Sequence, residues 1–431
     1  MSGTHRIHIE HVTRVEGHGS IRINTRAGVV EEVKLEVVEA NRFFESVVLG
    51  MPAQDVAQTV SRICGICCVG HQLAALKAVE AALGIVPSTQ TILLRKLLNE
   101  SQFLQSHSLH LYFLAVPDFV GTKSVLPLAS SHPELVRRAL KLKKLANDFT
   151  AVIGGRTLHP MTPALGGFRK WPAQDALAAI RRRLAESLPE VQTMVEFMSD
   201  LKLPELERET EYVSLKHPDE YALYDGTIHS SDTGEQVAVA DYRQATNEFT
   251  IAHSTAKWAR WHRDSYMVGA LARINNNFAQ LRPEAQEVAM QLGIKVPSYN
   301  PYQNNLAQLV ELVHCTHNSL AMLDEVLDGN SESAPPAVRA AAGCGAGAVE
   351  VPRGVLFHEY GFDDDGCCIS ADAVIPTSQN VNNIEKDMHA FVPQLLGKVE
   401  EGELAHTMEM LVRAYDPCIS CSVHLLEVEF V

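Results

Sequence analysis

Two short stretches near opposite ends of the chain constrain its fold more than anything else in it: RICGICCVGH, residues 62–71, and DPCISCSVH, residues 416–424. Together they hold five of the nine cysteines, in the pairs Cys64/Cys67 and Cys418/Cys421 plus Cys68. If RICGICCVGH is the first turn and body of a helix, Cys64, Cys67 and His71 lie on one face, spaced i, i+3 and i+7. Thiolates near a helix N-terminus are favoured by the free N–H groups there, which suits a soft-metal ligand pair. Gly65 allows a close backbone approach. Cys68 is rotated off that face and reads as core packing. Two CxxC pairs can make one four-sulfur site, and structural zinc, a redox-active metal and dithiol chemistry all remain open from spacing alone. Structural zinc usually joins pairs about 15–20 residues apart. Here a shared site would instead close the two ends of the chain on each other across one central core.

The clustering of the cysteines is unlike a disulfide framework and fits metal or redox chemistry in a reducing compartment. A net charge of −15 argues against a nucleic-acid partner. The N-terminal MSGTHRIHIEHVTRVEGHG lacks the apolar segment of a signal peptide, and no run of about 18 apolar residues is present to span a membrane. A cytoplasmic protein is expected.

Residues 5–38 alternate apolar and polar positions around Ala27-Gly28, as in an antiparallel hairpin. From Ala53 the period becomes helical up to Gly84, with further helices expected near 90–115, 133–149, 174–201, 244–281 and 303–328. A strand-and-turn insertion is expected at 216–242, a Gly-, Ala- and Pro-rich loop before Gly354, a hairpin over 354–376, and then a helix leading to the second cysteine pair. The expected class is α+β, mainly helical: a central long-helix bundle with an N-terminal β-hairpin and peripheral β-elements. It forms one domain, 1–431, with a hairpin region at 1–50, a helical core at 51–330, and a loop, β-elements and metal motif at 331–431.

With these elements in place, the two cysteine stretches closely resemble the signatures of the large subunit of nickel–iron hydrogenases. HVTRVEGHG, RFFES, EVPRGVLFH and VIPTS resemble that family's landmarks in the same order. Related respiratory complex I subunits lack the cysteine pairs, so their retention implies a metal-bearing enzyme. The resemblance implies Cys64 and Cys418 as terminal nickel ligands and Cys67 and Cys421 as bridges to an iron carrying CO and two cyanides. It makes His71 a hydrogen-bond partner of a bridging sulfur, Glu16 the proton relay from Cys418, and Arg353 a guanidinium over the metal site paired with Asp416. Leu356, Pro376 and Thr377 would line the pocket for the diatomic ligands. Glu45, the Ala373 carbonyl and His424 would hold a separate Mg²⁺ or Fe²⁺. Without its flanking motif Glu16 reads as a solvated hairpin carboxylate, and Arg353 as a surface residue of a Pro-Gly loop.

The implied activity is reversible heterolytic cleavage of H₂. Cys315, Cys344, Cys367 and Cys368 are too irregularly spaced to ligate an iron–sulfur cluster. Electrons must therefore leave through an iron–sulfur small subunit, and beyond it through flavin- and NAD(P)-binding diaphorase subunits, to NAD(P) or ferredoxin. The chain looks like the cytoplasmic, bidirectional, NAD(P)-linked group. An H₂ sensor with little turnover and a zinc scaffold are the rival readings. Two departures stand out: Ser106 occupies a position where much of the family carries aspartate, and an apolar tail, LLEVEFV, follows His424, where the family is usually cut.

Overall fold

The computed structural model describes residues 4–27, 29–122, 124–329 and 335–423. Strands Thr4–Ile9, Gly19–Arg26 and Val29–Val37 form an antiparallel meander. Ile21, Ile23, Val33, Leu35 and Val37 are buried, while Arg22 and Glu36 pair on the opposite side at 3.0 Å. This is the period-two pattern of a half-covered sheet. The sheet then recruits Ser254–Trp258, parallel to the end of Val29–Val37, and Phe249–Ile251 beyond it.

Those last two strands correct one expectation. Residues 244–281 are not a long helix: the segment forms Phe249–Ile251, Ser254–Trp258 and Tyr266–Met267, and only Ala270–Asn277 is a helix of substance. Its first half carries β-branched and aromatic residues, and the free edge at Val37 lets them form strands.

Long helices Thr89–Leu109, Pro133–Gly154, Gln174–Ser199 and Asn304–Asp328 pack together as the central bundle. The first starts at a Ser88 cap that accepts from the Thr91 N–H at 3.0 Å, and it runs on through a wider π turn, His110–Ala115. Helix Cys68–Leu83 ends where expected, at Gly84 in the left-handed region, φ 65°.

The Gly- and Ala-rich segment expected as a loop is partly a strand. Gly343–Val351 pairs with Gly354–Phe362, which pairs with Cys368–Val374. Gly343, Gly345 and Gly347 face helix Cys68–Leu83, and a side chain at any of them would run into the backbone of Ala74, Ala78 or Ala82. The glycines mark a close strand–helix approach. They press the sheet carrying Arg353 and Leu356 onto the helix that follows Cys67. The 216–242 region is β as expected, with Glu211–Lys216, Thr227–Ser230 and Gln236–Val237 in a sheet completed by Tyr266–Met267. Helices Pro376–Leu395 and Glu401–Ala414 return the chain to the N-terminal sheet before the turn Ile419–Ser422. Among the described residues no helix is long and apolar enough to cross a membrane.

Candidate metal centre

The first cysteine pair does not ride on one helix. Helix Ala53–Val60 gives way to the tight turn Ser61–Ile63, Cys64 is extended (φ −140°, ψ 141°), and Cys67 caps helix Cys68–Leu83. In this break the Cys64 sulfur accepts the N–H groups of Ile66 and Cys67 at 3.2 and 3.1 Å. A continuous helix would have spent the Cys67 N–H on its own ladder.

The second pair meets the first from the other end of the chain. Cys64 Sγ lies 3.5 Å from Cys418 Sγ, and Cys67 Sγ lies 3.6 Å from Cys421 Sγ. All four sulfurs fall within 4.8 Å of one another and all four residues are buried, yet every cysteine is a free thiol. Four buried, unbonded thiols at this spacing fit a thiophilic metal. Burial pushes Cys418 and Cys421 up, and hydrogen bonding within the cluster adds to this for Cys418. Burial penalises the Cys64 thiolate too, but hydrogen bonds from Cys418, Cys421 and Cys67 outweigh it and carry Cys64 well below the usual thiol range. Cys68 stands apart: its sulfur accepts the His159 N–H at 3.2 Å, and burial pushes its thiol up to about 12 despite that bond.

What holds two segments 354 positions apart in register is largely Arg42 and Glu16. Arg42 Nη2 donates to the Ile63 carbonyl at 2.5 Å, just before Cys64, and also to the Ser420 carbonyl, between Cys418 and Cys421. Its backbone N–H donates to the Val423 carbonyl at 2.9 Å. The Glu16 carbonyl accepts from Ile419 N–H at 2.9 Å, and its Oε2 accepts from Ser420 N–H at 3.1 Å. The Ser420 hydroxyl donates to the other oxygen. Cys418 Sγ lies 3.1 Å from Glu16 Oε2. Gly17, at φ 85°, has no room for a side chain against Ile419 and Ser420. Arg14, next to this motif, and Arg413, ahead of the second pair, share the Asp118 carboxylate.

Above the sulfurs is a small cavity, about 10 Å³, lined by Cys67, Cys418, Cys421, His71, Arg353, Leu356, Pro376 and Thr377 with Val351 and Ile375. That is far below the usual range of organic-ligand pockets, roughly 300–1,000 Å³, and leaves room only for a group about the size of a water or an ion. Thr377 Oγ1 accepts from the Cys418 N–H at 2.9 Å, leaving its own proton to donate elsewhere. Arg353 Nη2 donates to Asp416 Oδ1 at 2.8 Å and Nη1 to the Ser106 hydroxyl at 3.2 Å. So Ser106, the departure from the family pattern, still touches the arginine, as a neutral acceptor. The burial penalty on Arg353 is outweighed by the charge of Asp416 and by its electrostatic attraction to Cys418, Cys67 and Cys64, which fix it as a cation. Asp416 also accepts from Gln308 Nε2 at 3.2 Å. His71 Nδ1 lies 3.0 Å from His358 Nε2, and His358 Nδ1 lies 2.5 Å from the Tyr360 hydroxyl.

Glu45 and Ala373 also meet, though through the amide: Ala373 N–H donates to Glu45 Oε1 at 3.0 Å. His424, the third residue expected there, lies outside the described residues, as does the tail 425–431. Sequence reasoning missed Arg42, Ser420, Gln308 and His358. Arg42 and His358 sat inside the quoted stretches RFFES and EVPRGVLFH, but their partners are backbone carbonyls and distant side chains that no spacing rule names.

Residues 42–138 and 209–424 match the nickel-dependent hydrogenase family model, and residues 6–40 match a HoxL-like model. The chain is 34% identical to sulfhydrogenase 1 subunit alpha of Pyrococcus furiosus over 97% of its length and 98% of that protein's. It is 27% identical to the NAD-reducing hydrogenase HoxS subunit beta of Cupriavidus necator over 97% and 94%. A crystal structure of an NAD⁺-reducing [NiFe]-hydrogenase in its H₂-reduced state superposes with a TM-score of 0.88 at 27% identity, covering 98% of this chain and 100% of that one. The [NiFeSe] hydrogenase of Desulfovibrio vulgaris Hildenborough shares the fold, with a TM-score of 0.78 at 22% identity and the same coverage. With matches over nearly all of its length and four thiols gathered from its two ends, the chain belongs to the nickel-dependent hydrogenase family, as a large subunit of these enzymes.

Proposed function

We propose that this subunit carries out reversible heterolytic cleavage of H₂ at a nickel–iron centre held by Cys64, Cys67, Cys418 and Cys421. Cys67 and Cys421 would serve as ligands of the iron as well. When bound, the group supplies the Lewis acidity that polarises H₂ and the redox capacity to take its electron pair. The chain's own residues handle the rest. Cys418 presents its sulfur to Glu16 at 3.1 Å, within reach for proton transfer, and Glu16 is only partly buried, so its other face leads outward. This contact is the observation that carries the proposal. Arg353, held by Asp416, lines the cavity with a fixed cation whose Nε has no partner among the described residues, suited to the cyanides of the iron. Thr377 can donate a hydroxyl there, and Leu356 and Pro376 supply apolar walls. His71, braced by His358, would orient on a bridging sulfur.

Glu45, the Ala373 carbonyl and His424 form the proposed second cation site, for Mg²⁺ or Fe²⁺, an oxygen-rich donor set that suits a hard ion. Electrons would pass to an iron–sulfur small subunit and on through flavin- and NAD(P)-binding subunits in the cytoplasm. The likeness to the NAD⁺-reducing structure and to the HoxS subunit supports that coupling. Infrared spectroscopy of the purified complex tests the centre, since CO and cyanide bands with stoichiometric nickel are expected. H₂ uptake with NAD, NADP and ferredoxin offered separately tests the acceptor. Zinc alone, with no such bands, would refute the proposal.

A further inference from the structure

Arg353 stands at the tip of a two-residue hairpin loop, Pro352-Arg353, between the paired residues Val351 and Gly354. Hairpin tips ordinarily lie in water, where their carbonyls need no protein donor. This one is buried from Val351 to Gly354, so its carbonyls need donors from within the fold. One side chain reaches two of them. Arg273 Nη1 donates to the Val351 carbonyl at 2.9 Å, and Nη2 donates to the Pro352 carbonyl at 3.0 Å.

The rest of that guanidinium is equally committed. Nε and Nη2 clamp Glu311 at 2.6 and 2.7 Å, and Nη1 reaches Glu350 Oε2 at 2.8 Å. Arg273 is 0% exposed and all three of its nitrogens are bonded. Its anchors are themselves pinned: Glu311 by His107 at 2.8 Å and the Tyr221 hydroxyl at 2.7 Å, Glu350 by the Leu215 N–H at 2.8 Å. The loop's other side rests on Val268 and Gly269, which lead straight into the helix carrying Arg273. Among the described residues Arg353 itself has only Ser106 and Asp416 at its head, so its aim depends on where this loop holds its backbone.

We propose that Arg273 is a positioning residue for the hydrogenase reaction, setting the place of Arg353 over the four sulfurs through the Val351 and Pro352 carbonyls. The proposal rests on the reading of Arg353 as the group facing the iron's cyanides. A lysine in place of Arg273 keeps the charge but not the planar fork, and cannot serve two carboxylates and two carbonyls at once.

The test is a double-mutant cycle in the intact complex: Arg273→Lys, Arg353→Lys and both. Arg273→Lys is expected to lower H₂ turnover per bound nickel roughly 10- to 100-fold, the scale of a misplaced reacting group. It should move the cyanide infrared bands in the same direction as Arg353→Lys, and the double variant should be no slower than Arg353→Lys alone. Wild-type turnover and bands in Arg273→Lys, or losses that simply multiply in the double variant, would overturn the inference. Silence of Arg353→Lys in both readouts would instead overturn the reading of Arg353, and this inference with it. If Arg273→Lys does not accumulate with nickel, Glu350→Gln takes its place on the same readouts, because it removes an anion from Nη1 while keeping an acceptor for Leu215.

Discussion

The sulfur of Cys418 lies 3.1 Å from Glu16 Oε2, a contact between residues 402 positions apart. Its geometry is specific, because Ser420 fixes both carboxylate oxygens with its N–H and hydroxyl. A glutamine at position 16 would keep an acceptor for Ser420 but could not take a proton from the thiol. Glu16→Gln should therefore retain nickel and the infrared bands while H₂ uptake falls by about 10²–10⁴-fold, the usual contribution of a positioned proton acceptor. Undiminished uptake in this variant would remove Glu16 from the proton path.

The clustered cysteines should separate cleanly by substitution. Cys418→Ser replaces a proposed thiolate ligand with a hard, weakly acidic hydroxyl and should abolish both nickel retention and H₂ turnover. Cys68→Ser should retain both, since the Cys68 sulfur is turned to the His159 N–H, away from the other four. Metal analysis of the two purified variants checks the pair. Equal nickel in both would contradict the four-thiolate site.

Much of this was legible in the amino-acid string, and the failures have physical reasons. The stop at Gly84 and the helices beginning at Pro133, Gln174 and Asn304 follow local signals. Ser254–Trp258 became a strand because the edge at Val37 was free to take it, a partner more than 200 positions away. Gly343, Gly345 and Gly347 looked like loop because the alanines they pack against lie on a helix far upstream. In the site, Cys64, Cys67, Cys418 and Cys421 announced themselves by spacing. Arg42, Gln308 and Arg273 did not, since each acts on carbonyls or side chains that only the fold brings near.

Stability of the helical bundle should carry a pH signature from Glu100, which lines a different cavity from that of the metal site. Burial raises its carboxyl from 4.5 to about 8, although Ser319, Asn318 and the charge of Arg282 pull the other way. The folded state thus holds a proton that the unfolded chain releases. The stabilisation from neutral Glu100 is full below about 4.5, declines as pH rises, and is gone by about 8. Glu100→Gln is neutral throughout, so the melting temperature of the complex should fall less between pH 5 and pH 8 than in wild type. Parallel melting curves for the two proteins would show that Glu100 is ionised in the fold. Glu350, raised by burial to about 7, is present in both proteins and drops out of the comparison.

Arg42 should prove to be the clasp between the two cysteine segments. Its Nη2 bridges the Ile63 and Ser420 carbonyls, one beside each pair, and its N–H takes the Val423 carbonyl. Hydrogen bonds from a charged donor are worth about 1.5–3 kcal/mol each, and truncation leaves two carbonyls beside the metal site without that donor. Arg42→Ala keeps its backbone N–H bond, so the fold should survive. The distance between the two CxxC segments, however, should no longer be fixed. The variant is expected to melt earlier by about 2–4 kcal/mol of lost stability and to release nickel to a chelator faster than wild type. Arg42→Lys, with one compact donor that cannot span both carbonyls, should fall between the two. If Arg42→Ala loses stability but holds nickel as long as the wild type, Glu16 and Thr377 alone suffice to keep Cys418 against Cys64, and the clasp is not Arg42.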